Sequence, residues 1–184
     1  TPKPGNVDRA HDYSDLRFEH FVAGGAGARA GLDRAAAGGP VGEAFERAVA
    51  GMSTQSGGNT QFGAILLVTP LAVAASRNAS RGVSPEIANE VVAETTVDDA
   101  VQFYRAFDHV GVAVDDPPEN LDAPDVRLGG DAEPMLREQG LTLEDVMADS
   151  ADIDGLAAEW VGGFERTFDA ARRIESREGP VTDR

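Results

Sequence analysis

From Phe62 to Ala75 the chain is apolar at nearly every position, interrupted by Thr69 and Pro70. Read as a helix, such a segment is apolar all round and must be buried, so the remaining elements have to pack about it. Pro70 is expected to kink this helix, with Thr69 or a water taking up a freed backbone group. A membrane span needs about 18 consecutive apolar residues, a length the interruption denies. The segment is therefore expected at the centre of a bundle rather than in a bilayer.

The rest of the sequence supports a bundle. No window sustains two-residue alternation and no internal repeat is evident, whereas three- and four-residue spacing recurs throughout. Leu16, Phe18, Phe21, Val22, Ala26 and Ala30 predict a helix from about Asp12 to Ala37, ended by Gly38-Gly39-Pro40. A second helix is expected from Val41 to Met52. Ser84-Pro85-Glu86 reads as N-cap, first-turn proline and first-turn acid, opening a helix that runs to Ala93. Thr96-Val97-Asp98-Asp99 repeats the start signal, and Thr142-Leu143-Glu144-Asp145 opens a short helix. Asp152 to about Ser176 reads as one long final helix, in which Gly162-Gly163 would let a neighbour approach closely. The proline- and acid-rich stretch from Val114 to Asp131 has no period and reads as a long surface loop. With 184 residues, 41% of them hydrophobic, the expectation is an all-α, single-domain multi-helix bundle over 1–184.

Composition narrows the chemistry. There is no cysteine, so disulfides, thiolate metal sites and cysteine nucleophiles are excluded. Lys3 is the only lysine among the 16 basic residues, and the net charge is −16. That balance repels phosphate backbones, and the arginines are scattered, so no nucleic-acid partner is expected. Acidic, lysine-poor composition fits a halophilic cytoplasmic protein, in which salt screens self-repulsion, and fits codon bias in a GC-rich genome equally well. No basic-then-apolar leader opens the sequence, and neither a membrane nor a nucleic acid is expected as a partner.

Two segments concentrate functional residue types. In the first, Pro2-Lys3-Pro4-Gly5 should be a rigid loop, followed by Asp8, Arg9, His11, Asp12 and Asp15. A helix from about Asp12 would put Asp12 and Asp15 on one face near His11, a pattern suited to Mg²⁺ held by carboxylates and substrate phosphates. The plainer reading is that Asp12 or Ser14 caps the helix and Asp15 complements its dipole. In the second, Ser56-Gly57-Gly58-Asn59-Thr60-Gln61-Phe62-Gly63 combines paired glycines with side-chain donors ahead of the buried helix, the logic of a phosphate cradle but without a Walker ending. An ordinary helix–helix connection would use the same residues. Asp152 and Asp154 are weaker metal candidates; Asp154 and Glu159 cannot both lie centrally on the apolar face of the final helix, so at least one of those two is expected to be solvated or to serve a helix N-terminus.

Together the two segments resemble the triphosphoribosyl-dephospho-CoA synthase family. That family carries a PKPG-[LN]-V-D-R segment with a histidine and acids after it, then a T-G-G-x-N-T-x-x-G segment opening an apolar helix. Here the first reads Pro2-Lys3-Pro4-Gly5-Asn6-Val7-Asp8-Arg9 with His11 and Asp12 following, and the second is the Ser56–Gly63 run. The resemblance covers about the first 75 residues and implies an all-helical transferase. Its members move the triphosphoribosyl group of ATP to 3′-dephospho-CoA and release adenine, with Mg²⁺ on the triphosphate. It further implies that Lys3 and Arg9 contact phosphates, that His11, Asp12 and Asp15 serve base roles with Asp8, Asp12 and Asp15 serving the metal, and that Gly57, Gly58, Asn59 and Thr60 cradle the nucleotide. A homo-oligomer is compatible with this reading. Bacterial members carry histidine and lysine where this chain has Gln61 and Phe62, and a later G-A-R-G-E-A segment has no counterpart here. The chain begins inside the first segment, so a trimmed branch or an N-terminally truncated form is expected. The rivals are a Mg²⁺-dependent transferase or hydrolase of another ribosyl or phosphorylated substrate, and a non-catalytic helical binding module.

Overall fold

The computed structural model describes residues 7–78, 82–114, 116–117 and 121–179. The described residues form α1 (Phe18–Ala36), α2 (Val41–Met52), α3 (Phe62–Arg77), α4 (Pro85–Ala93), α5 (Val97–His109), a 3-10 segment (Val126–Ala132), α6 (Glu133–Gln139), α7 (Leu143–Ser150), α8 (Gly155–Val161) and α9 (Glu165–Glu175). They contain no β-strand, and the fold is all-α as the periodicity requires. No helix among them is long and apolar enough to cross a membrane.

Small residues set the first hairpin. A side chain at Gly27 would collide with the backbone of Gly51, and one at Gly31 with Ala44 and Ala48, so α1 and α2 lie backbone to backbone. Gly42 brings α2 equally close to Asp99 at the start of α5. There the Asp99 carboxylate accepts from Gly42 N at 2.7 Å, Thr96 N at 2.9 Å and Thr96 Oγ1 at 2.8 Å, closing a capping box and tying two helices with one buried acid. Phe45, Phe62, Phe103 and Phe107 then meet in edge-on and stacked contacts across α2, α3 and α5.

Helix α3 runs through this core, burying Phe62, Ile65, Leu66, Thr69, Pro70, Val73 and Ala74. It is not buried all round: Ala64 lies outside and Val68 is 46% exposed. Thr69 Oγ1 donates to Ile65 O at 2.7 Å, its own helical acceptor. The carbonyl that Pro70 deprives of a donor is that of Leu66, and its partner is the indole N–H of Trp160, at 3.3 Å, rather than Thr69 or a water.

Two helix boundaries depart from expectation. Helix α1 starts at Phe18, later than Asp12, because the Asp12 carboxylate reaches forward to accept from Phe18 N at 3.2 Å and the intervening residues stay irregular. The long final helix is two helices. Gly163 and Phe164 both adopt left-handed conformations, with φ of 69° and 59°, and buried Glu159 turns back to accept from Arg166 N, Thr167 N and Thr167 Oγ1 at the start of α9. The glycine pair thus breaks a helix instead of only easing a crossing. The expected 114–131 loop includes a 3-10 segment, Val126–Ala132, whose last residue lies just beyond it.

Candidate active site

Lys3, with the rest of the Pro2–Gly5 loop, lies outside the described residues. The first segment is built around Asp8, which is buried. Asp8 and His11 form a two-residue backbone bridge, Asp8 N to His11 O at 2.9 Å and His11 N to Asp8 O at 3.3 Å. The Asp8 carboxylate accepts from Ala10 N at 2.8 Å and from His11 Nδ1 at 2.9 Å. Those donors, Ala10 N–H foremost, hold it below the usual carboxylate range. With its proton placed on Nδ1 by Asp8, neutral His11 presents an unprotonated Nε2, and its side chain is 74% exposed.

Among the described residues no three of His, Cys, Asp and Glu stand close enough to hold an ion. Asp8 Oδ1 accepts from both Ala10 N and His11 Nδ1 and so orients the imidazole. Asp12 and Asp15 do not share a helix face, because α1 begins after both. Both are exposed, Asp12 Oδ1 accepting from Phe18 N and Asp15 making no hydrogen bond among the described residues. Asp154 caps α8 through Leu156 N at 2.7 Å and Ala157 N at 2.8 Å, and Asp152 is exposed on the turn before it. Arg9 lays its guanidinium over the Phe18 ring, 5.3 Å from the centroid.

The second segment forms the loop between α2 and α3. Gln55 braces it, donating to Met52 O and Gly58 O while accepting from Gly57 N at 2.6 Å. Gly57 N–H is therefore engaged within the loop rather than open to an anion. Gly58 sits at φ 67° with open space where a side chain would go. Asn59 Oδ1 accepts from Phe62 N at 3.1 Å, capping α3, while its amide nitrogen makes no hydrogen bond among the described residues. Thr60 Oγ1 donates to Gln61 Oε1 at 2.8 Å, and Gln61 Nε2 donates to Phe21 O at 2.7 Å. Gly24 on α1 is the gap that admits Thr60 and Gln61. Gln61 and Phe62, where bacterial members have histidine and lysine, are a strut to α1 and a core aromatic.

His20, in the first turn of α1, reaches the glycine-rich loop and was not singled out from sequence. Its Nδ1 accepts from Arg17 N at 3.2 Å, so neutral His20 carries its proton on Nε2, which lies 3.5 Å from Ser56 Oγ. A side chain at Gly57 would strike the His20 ring. Its one signal was position: a titratable residue directly after the first segment, within Phe18-Glu19-His20-Phe21.

Two cavities open on the surface. One of about 580 Å³ has Asn59, Phe62 and Gly63 in its wall and so adjoins the second segment. The other, about 500 Å³, lies between α2, α4 and α5 and holds none of the expected site residues. Its arginines Arg77, Arg105 and Arg137 are each paired with a carboxylate.

Fold and site define an all-helical protein in which the first turns of α1, entered from an acid- and histidine-bearing segment, pack against the glycine-rich loop at the start of α3. Over residues 1–183 the chain matches CitG, ATP:dephospho-CoA triphosphoribosyl transferase, and it belongs to that family. A crystal structure from Archaeoglobus fulgidus, provisionally described as a triphosphoribosyl-dephospho-CoA synthase, is similar at a TM-score of 0.67 and 25% identity over 89% of this chain. This chain spans 65% of the length of that one. No curated protein matches the chain.

Proposed function

We propose that this protein transfers the triphosphoribosyl group of ATP to the ribose 2′-hydroxyl of 3′-dephospho-CoA with release of adenine. The observation that supports this reading, beside family membership, is that His20 and Gln61 tie the first turns of α1, which follow the first segment, to the loop ahead of α3. In the transfer the acceptor hydroxyl oxygen bonds to the anomeric carbon of the ATP ribose, the carbon–adenine bond breaks, and the hydroxyl proton goes to a base while adenine takes up a proton as it leaves. His11 is the base this geometry favours, because Asp8 fixes its tautomer and leaves Nε2 outward. Asp8 is then a positioning residue. The start of α3, with the Asn59 amide and the unpaired first-turn N–H groups of Gly63 and Ala64, favours anionic oxygens, and Arg9 could swing from Phe18 to a phosphate.

Mg²⁺ fits this donor set, since it takes one or two carboxylates together with substrate phosphates, and Asp12 and Asp15 are exposed acids beside the helix start. Bound there, it would neutralise triphosphate charge. Lys3 would add a phosphate contact. The test is chromatographic detection of adenine from purified protein given ATP, 3′-dephospho-CoA and Mg²⁺ at high salt. Adenine that needs both substrates supports the reading; adenine without the acceptor points to a hydrolase, and none at all to a different substrate or a binding module.

A further inference from the structure

The 580 Å³ cavity has a composition unlike the polar segments it adjoins. Its wall is mostly apolar, with Leu66, Phe103, Phe107, Met147 and Leu156 contributing, and none of its lining residues is a lysine, arginine or histidine. Its acids are already committed. Asp116 and Asp125 are paired with Arg127, which is not among the lining residues, and Asp154 caps α8. The outer wall is pinned in place: Tyr104 donates to Pro124 O at 2.5 Å, and Ala123 N to Asp149 at 2.9 Å. Burial, and then the charges of Asp125 and Asp149, push the Tyr104 phenol up, so it remains a neutral donor. Asn59 belongs both to this wall and to the glycine-rich loop, so the cavity opens where the nucleotide is proposed to bind.

We infer that this cavity takes the pantetheine arm of the acceptor, a neutral chain of amides and alkyl groups, while the nucleotide end of the acceptor stays at the loop. The inference rests on the proposed transferase reading. A cationless, largely apolar wall disfavours a triphosphate, which would leave its charge without a partner, and suits a chain that buries alkyl groups and needs few polar contacts. The Asn59 amide and the Ser150 hydroxyl supply polar groups for the amides of the arm. The arm thereby anchors the acceptor and sets the reach of its 2′-hydroxyl.

The test is calorimetric titration of 3′-dephospho-CoA and of ADP, which lacks the arm, into the wild-type protein and into Ile153→Trp and Leu156→Trp, both at the cavity wall. Each variant is expected to weaken dephospho-CoA at least tenfold while leaving ADP unchanged. Folded variants that bind dephospho-CoA like wild type, or that lose ADP equally, would overturn the inference even if wild type releases adenine. Failure of wild type to bind dephospho-CoA would overturn it together with the transferase reading. Should either variant not fold, hydrogen exchange on wild type decides. Dephospho-CoA must slow exchange in residues 146–157 beyond what ADP does, and equal protection by the two ligands contradicts the inference.

Discussion

The indole N–H of Trp160 donates to the carbonyl of Leu66 at 3.3 Å, the one carbonyl in α3 that Pro70 leaves without its helical donor. A proline in the middle of the core is thus matched by a tryptophan 94 residues away. Both Trp160 and Pro70 are fully buried. Trp160→Phe would strand the Leu66 oxygen in an apolar setting, at a cost of about 1–3 kcal/mol beyond lost packing. Pro70→Ala, which returns an N–H to Leu66 O, should recover part of that loss in the double variant. Urea denaturation followed by circular dichroism checks this; strictly additive effects would contradict the pairing.

Asp99 is an architectural acid. Removing its carboxylate in Asp99→Ala leaves Gly42 N and Thr96 N without acceptors and should destabilise the protein by about 2–4 kcal/mol. Thermal unfolding should show a clear drop in Tm, and any surviving transferase activity should keep an unchanged KM.

Acid should loosen the Asp8–His11 bridge. Because the Asp8 pKa is lower folded than unfolded, what its carboxylate contributes is complete above the ordinary 3.8 and is lost as pH falls through the lowered value. The Asp8 carboxyl carbon resonance should therefore titrate with its main midpoint below 3.8. A midpoint above the ordinary value would contradict the hydrogen bonds assigned to this carboxylate.

Gly57→Ala places a methyl against the His20 ring and should displace it, separating the two segments. We expect at least a tenfold fall in adenine release with little change in thermal stability. His20→Ala should relieve the clash, so that adding Gly57→Ala to it costs little more.

Where the sequence carries capping chemistry, the fold was legible: Ser84-Pro85, Thr96 and Thr142 each mark a helix start, and each side chain accepts from the first turn as the pattern requires. The final helix misled because Asp152 to Ser176 keeps one amphipathic period through Gly162-Gly163. The break depends on Glu159 folding back onto α9, a contact that periodicity does not encode. Within the two segments, the hydrogen-bond partners of the side chains were not legible. Asp8 became an orienting acid only once the Asp8–His11 bridge formed, and His20 matters because α1 brings it to Ser56, 36 residues on.

The central claim is that the two segments form one transfer site, and the rate of adenine release in Asp12→Asn and Asn59→Ala measures it most directly. Both residues lie at helix starts on different segments, and Asp12→Asn keeps an oxygen for Phe18 N. With ATP, 3′-dephospho-CoA and Mg²⁺ saturating, the account predicts adenine release by wild type that requires both substrates, and a fall in kcat of about 10²-fold or more in each folded variant. Full activity in either variant, or adenine release that ignores the acceptor, would contradict it.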